Sequence, residues 1–216
     1  MKTEAGIILR AQTKQGNDLQ LVLGYEEGAR PQAAEGKVQI VTSLAGIYAG
    51  RITFYGQCAP AAITPSSGRR DPAVAAALLT GILLGWDRSS GDGAVCTVGM
   101  IETKPGRSDM IPASVSMSFD IRADSEAALE KAASAIARFA GDVEQGRSRI
   151  NSDIEFTVRE KPLNLPAEGV SRLVEAAQKQ GLSYELVSGF GGLAPSQLDG
   201  QKNVSIVVLP DESVSI

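Results

Sequence analysis

No histidine occurs anywhere in the 216 residues, and this absence closes off more chemistry than any motif opens. Imidazole is the commonest metal ligand and the usual general base near neutral pH, because its unperturbed pKa is about 6.5. Serine–histidine triads and histidine-bearing zinc sites are therefore excluded within this chain alone, while carboxylate, lysine and cysteine chemistry stay open. Cysteine is scarce as well. Cys58 and Cys96 are the two, and the opening MKTEAGIILRAQTKQGND carries no basic segment followed by an apolar core and cleavage site. A reduced, cytoplasmic state is the expectation, rather than a disulfide. No apolar run approaches the roughly 18 residues of a membrane helix, so no membrane partner is expected. Positive charge is scattered, with 21 Lys and Arg against 25 Asp and Glu and a net charge of −4. That balance argues against nucleic acid as a partner.

What is present is enough apolar material, 43% of residues, to bury a core. Short apolar runs at 6–10 and 19–23 flank a polar Gln15-Gly16-Asn17-Asp18 stretch, as in a hairpin-like strand pair. Val38 to Ala45 is a further apolar run. From Arg51 to Gln57, Ile52 and Phe54 alternate with Thr53 and Tyr55, the period of a half-buried strand. Asp71-Pro72 then has the form of an N-cap followed by proline at the first helical position, opening a helix to about Trp86. Val95 to Glu102 and Ser114 to Ile121 alternate like strands, with the GRSDMIP stretch between them as a loop. Asp124 or Ser125 caps a second helix whose Ala128, Leu129, Ala132, Ala135, Ile136 and Phe139 share one face. A strand from Asp153 to Arg159 follows.

The order strand, helix, strand, strand, helix, strand over about 51–160 is that of an α+β, ferredoxin-like split βαβ sandwich. Beyond Pro162 and Pro166 come a helix at 168–180, a strand at 184–187, a glycine-rich turn at 189–192 and a strand at 204–209. The expected division is 1–45, 46–161 and 162–216, with the outer two segments forming parts of another layer.

Several stretches, taken in order over residues 20 to 210, resemble the C-terminal half of N-carbamoyl-L-amino-acid amidohydrolases and allantoate amidohydrolases, zinc enzymes of the aminoacylase and carboxypeptidase clan. Gly24-Tyr25-Glu26-Glu27-Gly28 stands where the family has His-Ile-Glu-Gln-Gly. Gly56-Gln57-Cys58-Ala59-Pro60-Ala61-Ala62-Ile63-Thr64-Pro65, with Arg69-Arg70-Asp71, matches Gly-Gln-Ala-Asn-His-Ala-Gly-Thr-Thr-Pro and Arg-Arg-Asp. Asp109-Met110-Ile111-Pro112 matches Asn-Val-Ile-Pro, and Asp120-Ile121-Arg122 matches Asp-Ile-Arg. Ser188-Gly189-Phe190-Gly191-Gly192-Leu193-Ala194 matches Ser-Gly-Ala-Gly-His-Asp-Ala, and Glu212-Ser213-Val214-Ser215 the terminal Ile-Ser-His-Ser.

The resemblance implies a peptidase-type dimerisation lid at 46–161, flanked by remnants of an α/β catalytic layer. It also implies that the family's histidines are replaced by Gly24, Pro60, Gly192 and Val214. The histidine at the Pro60 position polarises the scissile carbonyl from across a dimer, a task proline cannot perform. On this resemblance the family's N-terminal half, with the other zinc ligands and the catalytic glutamate, is expected to have no counterpart in this chain. No metal, no cofactor and no catalytic residue are therefore expected.

Gln57, Asp109, Arg122 and Gly191 remain as a candidate pocket for an amino-acid-like carboxylate. Arginine suits such a grip because its planar fork makes two parallel charge-assisted bonds. Arg122 is equally read as a half-exposed strand residue paired with Asp120 or a helix carboxylate. Asp109 adds a negative charge where the family has Asn. Glu26 and Glu27 read as a solvated turn, Cys58 as packing rather than a nucleophile, the 189–192 glycines as a structural turn, and Arg69 and Arg70 as serving loop geometry or an interface.

The expected function is that of a non-catalytic, amidohydrolase-like subunit for an enzyme of amide or ureide metabolism. It would form a homodimer through a lid edge strand and helix, or pair with a separate enzyme. The alternatives are a binding protein for a small carboxylate, and an amide hydrolase or decarboxylase whose site is completed by a partner chain.

Overall fold

The computed structural model describes residues 2–3, 6–12, 18–23, 38–86, 93–146, 149–189, 194–198 and 204–208. The strands are β1 (Lys2–Thr3), β2 (Gly6–Gln12), β3 (Asp18–Leu23), β4 (Val38–Leu44), β5 (Gly46–Tyr55) and β6 (Ala59–Pro60), followed by helix α1 (Pro72–Leu84). Then come β7 (Ala94–Thr97), β8 (Ile101–Lys104), β9 (Met110–Ile111), β10 (Ser114–Ala123), helix α2 (Glu126–Gln145) and β11 (Asn151–Glu160). The chain continues through β12 (Leu163–Asn164), helix α3 (Ala167–Lys179), β13 (Tyr184–Gly189) and β14 (Val204–Val208). It divides into two compact units, one made of Met1–Gly46 with Lys161–Ile216 and the other of Ile47–Glu160.

The continuous unit is built on a sheet in the order β11-β5-β10-β7, with β8 also paired to β10. Strict alternation along β10 sends Val115, Met117, Phe119, Ile121 and Ala123 into the core and leaves Ser114, Ser116, Ser118, Asp120 and Arg122 half-buried on the other face. Ile52 and Phe54 of β5 join the core side. Both helices cover that side. From α1 come Ala75, Ala76, Leu79 and Leu83, and from α2 Leu129, Ala132, Ala133 and Ile136. Each fully buried Leu or Ile contributes about 1.5–3 kcal/mol. Phe119 and Phe156 meet edge to face with centroids 5.2 Å apart.

Helix starts follow their caps. The Asp71 carboxylate accepts from the Ala73 N–H at 3.0 Å, with proline next in the first turn. The second helix is capped by Ser125, whose hydroxyl accepts from Ala128 N–H at 3.2 Å, and not by Asp124.

One expected strand is broken. The run Val95 to Glu102 is divided between β7 and β8, because Ala94–Thr97 pairs with Asp120–Ala123 while Ile101–Lys104 pairs with Ser114–Met117. Three residues, 98–100, thus face two, 118–119. This is a β-bulge, and it reverses which residues face which side. Cys96 lies opposite Ile121, whereas past the bulge Ile101 lies opposite Met117 and Thr103 opposite Val115. Ile101 and Thr103 therefore share the helix-covered face, and Glu102 and Lys104 the open face. The GRSDMIP stretch, expected as loop, contains β9, which pairs with β6.

Among the described residues of the discontinuous unit seven strands form one sheet, in the order β1-β2-β3-β14-β4-β12 with β13 also on β4. β13 runs parallel to β4 and β14 parallel to β3. Val170, Leu173 and Val174 of α3 pack against Ile40 and Ala177. Gln39 is 2% exposed, and its amide donates to Glu185 at 2.6 Å, so this buried polar group is satisfied.

Candidate functional site

The loop after β5 is fixed by close backbone approach. A Cβ on Gly56 would stand 2.1 Å from the Arg70 carbonyl oxygen and 2.5 Å from Pro72 Cδ, so only glycine fits. Gly56 N–H donates to Ala113 at 2.8 Å, and Gln57 N–H to Arg70 at 2.9 Å. Further along, Arg69 reaches back into the loop. Its Nε donates to the Thr64 carbonyl at 3.0 Å and its Nη2 to the Ala61 carbonyl at 2.7 Å. The Thr64 hydroxyl donates to the Pro60 carbonyl at 2.7 Å, and the Ala61 N–H to Asp109 at 2.9 Å. Arg69 is thus a clamp that holds the 60–64 loop in shape, and Pro60 sits in that loop with no side-chain donor to offer.

Gln57 and Asp109 both belong to this end of the unit and both are exposed. Asp109 is held by the fork of Arg107, Nε at 2.9 Å and Nη2 at 2.7 Å. That fork keeps the Asp109 carboxyl below its usual range and raises Arg107 above its own. Cys58 is exposed and Cys96 buried, and no disulfide joins them.

Arg122 lies elsewhere. It is eight residues along β10 from Ser114, roughly 27 Å at about 3.4 Å per residue. Its Nε donates to Asp120 Oδ1 at 2.8 Å and its Nη2 to Oδ2 at 3.3 Å. The structure brings Gln57 and Asp109 to one end of the unit and Arg122 toward the other. Gly24, Glu26, Glu27, Gly191, Gly192 and Val214 lie outside the described residues. Among the described residues no group of three His, Cys, Asp or Glu side chains could hold a metal ion.

The outer face of α1 is apolar too, although no motif marks it. There Val74, Leu78 and Ile82 are 55%, 56% and 42% exposed, at four-residue intervals. A helix that is apolar all round was the available signal.

No family model matches the sequence. The chain is 25% identical over 207 residues to the N-carbamoyl-L-amino-acid amidohydrolase of Paenarthrobacter aurescens, a match that takes in 95% of this chain and 50% of that one. It is 28% identical over 170 residues to the allantoate amidohydrolase of Bacillus subtilis, with 78% and 41% of the two chains covered. It is similar to these amidohydrolases over most of its length. A crystal structure of an amidase of the hydantoinase/carbamoylase family from Burkholderia multivorans superimposes with a TM-score of 0.73 at 25% identity, over 89% of this chain and 46% of the amidase. The chain therefore spans about half the length of the amidohydrolases it matches. The mixed α/β architecture of its described residues, with three helices and several sheets, agrees with that fold. Among the described residues no helix is long and apolar enough to cross a membrane.

Proposed function

We propose that this amidohydrolase-like chain is a non-catalytic subunit of amide or ureide metabolism that works by dimerising through its continuous unit. The sheet order β11-β5-β10-β7 with two helices on one side supports reading that unit as a ferredoxin-like lid. The absence of histidine and the proline at position 60 support the loss of hydrolytic chemistry.

The observation that carries the reading is the edge formed by β8. All four of its residues are exposed, and among the described residues β10 is its one partner. The bulge at 98–100 sets Ile101, 49% exposed, on the side covered by α1 and α2. α1 packs on β10 and β7, the strands next to this edge, and its Val74, Leu78 and Ile82 remain uncovered. Unpaired strand edges recruit another strand, and burying each large aliphatic side chain contributes about 1.5–3 kcal/mol.

The edge also complements itself. In an antiparallel pair of two β8 strands with Thr103 on the two-fold axis, Glu102 of one copy lies opposite Lys104 of the other. Opposite charges then meet on the open face, twice. A second copy fits this edge better than an arbitrary strand would.

The test is capture of the protein from its native source at low salt, followed by mass determination of the intact complex. A homodimer, or a complex with an amide-hydrolysing enzyme, is the expected result. A monomer with nothing attached overturns the reading.

A further inference from the structure

We propose that a hollow between the 66–70 loop and the segment closing α2 binds a phosphate monoester. The hollow measures about 490 Å3. Arg69, Arg70 and Arg149 line it, together with Ser67 and Gln145, and among the described residues no carboxylate does. This site is independent of the dimer edge and of the subunit reading.

The three guanidinium groups are held in different ways. Arg69 is fixed by its bonds to Thr64 and Ala61. Arg70 directs both Nε and Nη2 to the backbone carbonyl of Arg149, which ties the two walls of the hollow together. Each guanidinium carries five N–H donors, so both retain donors after these contacts. Arg149 differs: its side chain is exposed and makes no hydrogen bond or ion pair among the described residues. Its backbone has a φ of 46°, a region uncommon outside glycine. The Arg70 fork on its carbonyl and its own N–H to Gly146 at 3.3 Å hold it there.

Three arginines line one hollow, and among the described residues no acidic side chain joins them there. Such an arrangement repels itself, and an oxyanion relieves the repulsion. Arginine forks match phosphate in charge and geometry better than they match a monoanion. The Ser67 hydroxyl and the Gln145 amide add neutral donors. The space exceeds what a bare ion fills and falls within the range of small-ligand sites, about 300–1,000 Å3. A phosphate carrying a small polar group uses both the charge and the room. The competing account is that Arg149 merely complements the carbonyl end of α2, where cations are favoured.

The deciding experiment is calorimetric titration of the full chain, at constant ionic strength, with inorganic phosphate, glycerol phosphate and acetate. Saturable binding of both phosphates, tighter for glycerol phosphate, with none for acetate, is expected. Arg149→Ala weakens binding at least about tenfold and leaves the thermal midpoint in phosphate-free buffer unchanged. Arg149→Lys recovers only part of the affinity, since an ammonium is a point charge without the fork. No saturable binding in the unsubstituted protein overturns the proposal. So does an Arg149→Ala variant that binds as well as the parent, and a lowered midpoint beside unchanged binding assigns Arg149 to the helix end.

Discussion

The hydroxyl of Tyr48 on β5 donates to Oε1 of Glu130 on α2 at 2.6 Å, so a sheet residue 4% exposed is tied to the helix lying over it. The bond to Glu130, more than burial, pushes the Tyr48 pKa from 10.0 up to about 12. A proton held more tightly in the folded state stabilises the fold below the unfolded pKa, and that contribution is lost as pH rises through the folded value. The Tyr48 contribution is therefore complete below pH 10 and fades between pH 10 and about 12. Tyr48→Phe should cost about 0.5–1.5 kcal/mol at neutral pH and remove this component of the alkaline loss, as read by urea midpoints across that range.

Leu78→Glu should convert the dimer to monomer without unfolding it, because Leu78 is 56% exposed on α1. Thr103→Lys should do the same at the strand edge by placing like charges on the two-fold axis. Sedimentation equilibrium gives the mass of each variant, and a dimer that survives both substitutions shows that the contact lies elsewhere.

Arg69→Ala removes two bonds to loop carbonyls and should lower stability by about 1–3 kcal/mol. Arg69→Lys should not restore it, since a single ammonium cannot span both acceptors. Denaturant melts with unchanged slope would report this directly.

Gly56→Ala places a methyl group 2.1 Å from the Arg70 carbonyl oxygen. It should cost more than the usual overpacking range of about 1–3 kcal/mol, visible as loss of soluble protein or a lower denaturant midpoint. Gly68→Ala, where an added Cβ meets nothing within 4 Å, is the control and should fold normally.

A carboxylate ligand at Arg122 would have to share its guanidinium with Asp120, whose negative charge already occupies the Nε–Nη2 edge and repels a second carboxylate. N-carbamoyl amino acids should accordingly give no thermal shift in the parent protein. A shift that vanishes in Arg122→Ala would instead establish a ligand role for Arg122.

Much of the continuous unit can be read from local sequence. Asp71-Pro72 announces α1, and the alternation from Ser114 to Ile121 announces β10, because caps and period-two patterning are written in neighbouring residues. The split between β7 and β8 is not legible, since hydrophobic alternation carries no register and a bulge is defined only against its partner strand. Local sequence narrows the cap on α2 to Asp124 or Ser125, and only the hydroxyl geometry of Ser125 separates them. The partners of Arg107 and Arg122, each two positions away in sequence, were within reach of pattern reading. Arg70 was not, because its acceptor is the carbonyl of Arg149, 79 residues away.

The bulge at 98–100 lets the chain take up one extra residue between Thr97 and Ile101 while both flanking strands keep their partners on β10. Removing Gly99 would leave two residues facing Ser118 and Phe119, and Ile101 would still lie opposite Met117 and Thr103 opposite Val115. Which side chains the edge presents is therefore fixed by the seating of β8 on β10 and not by the length of the link before it. A lineage could lose or regain that single residue with the self-associating surface and every core residue left in place.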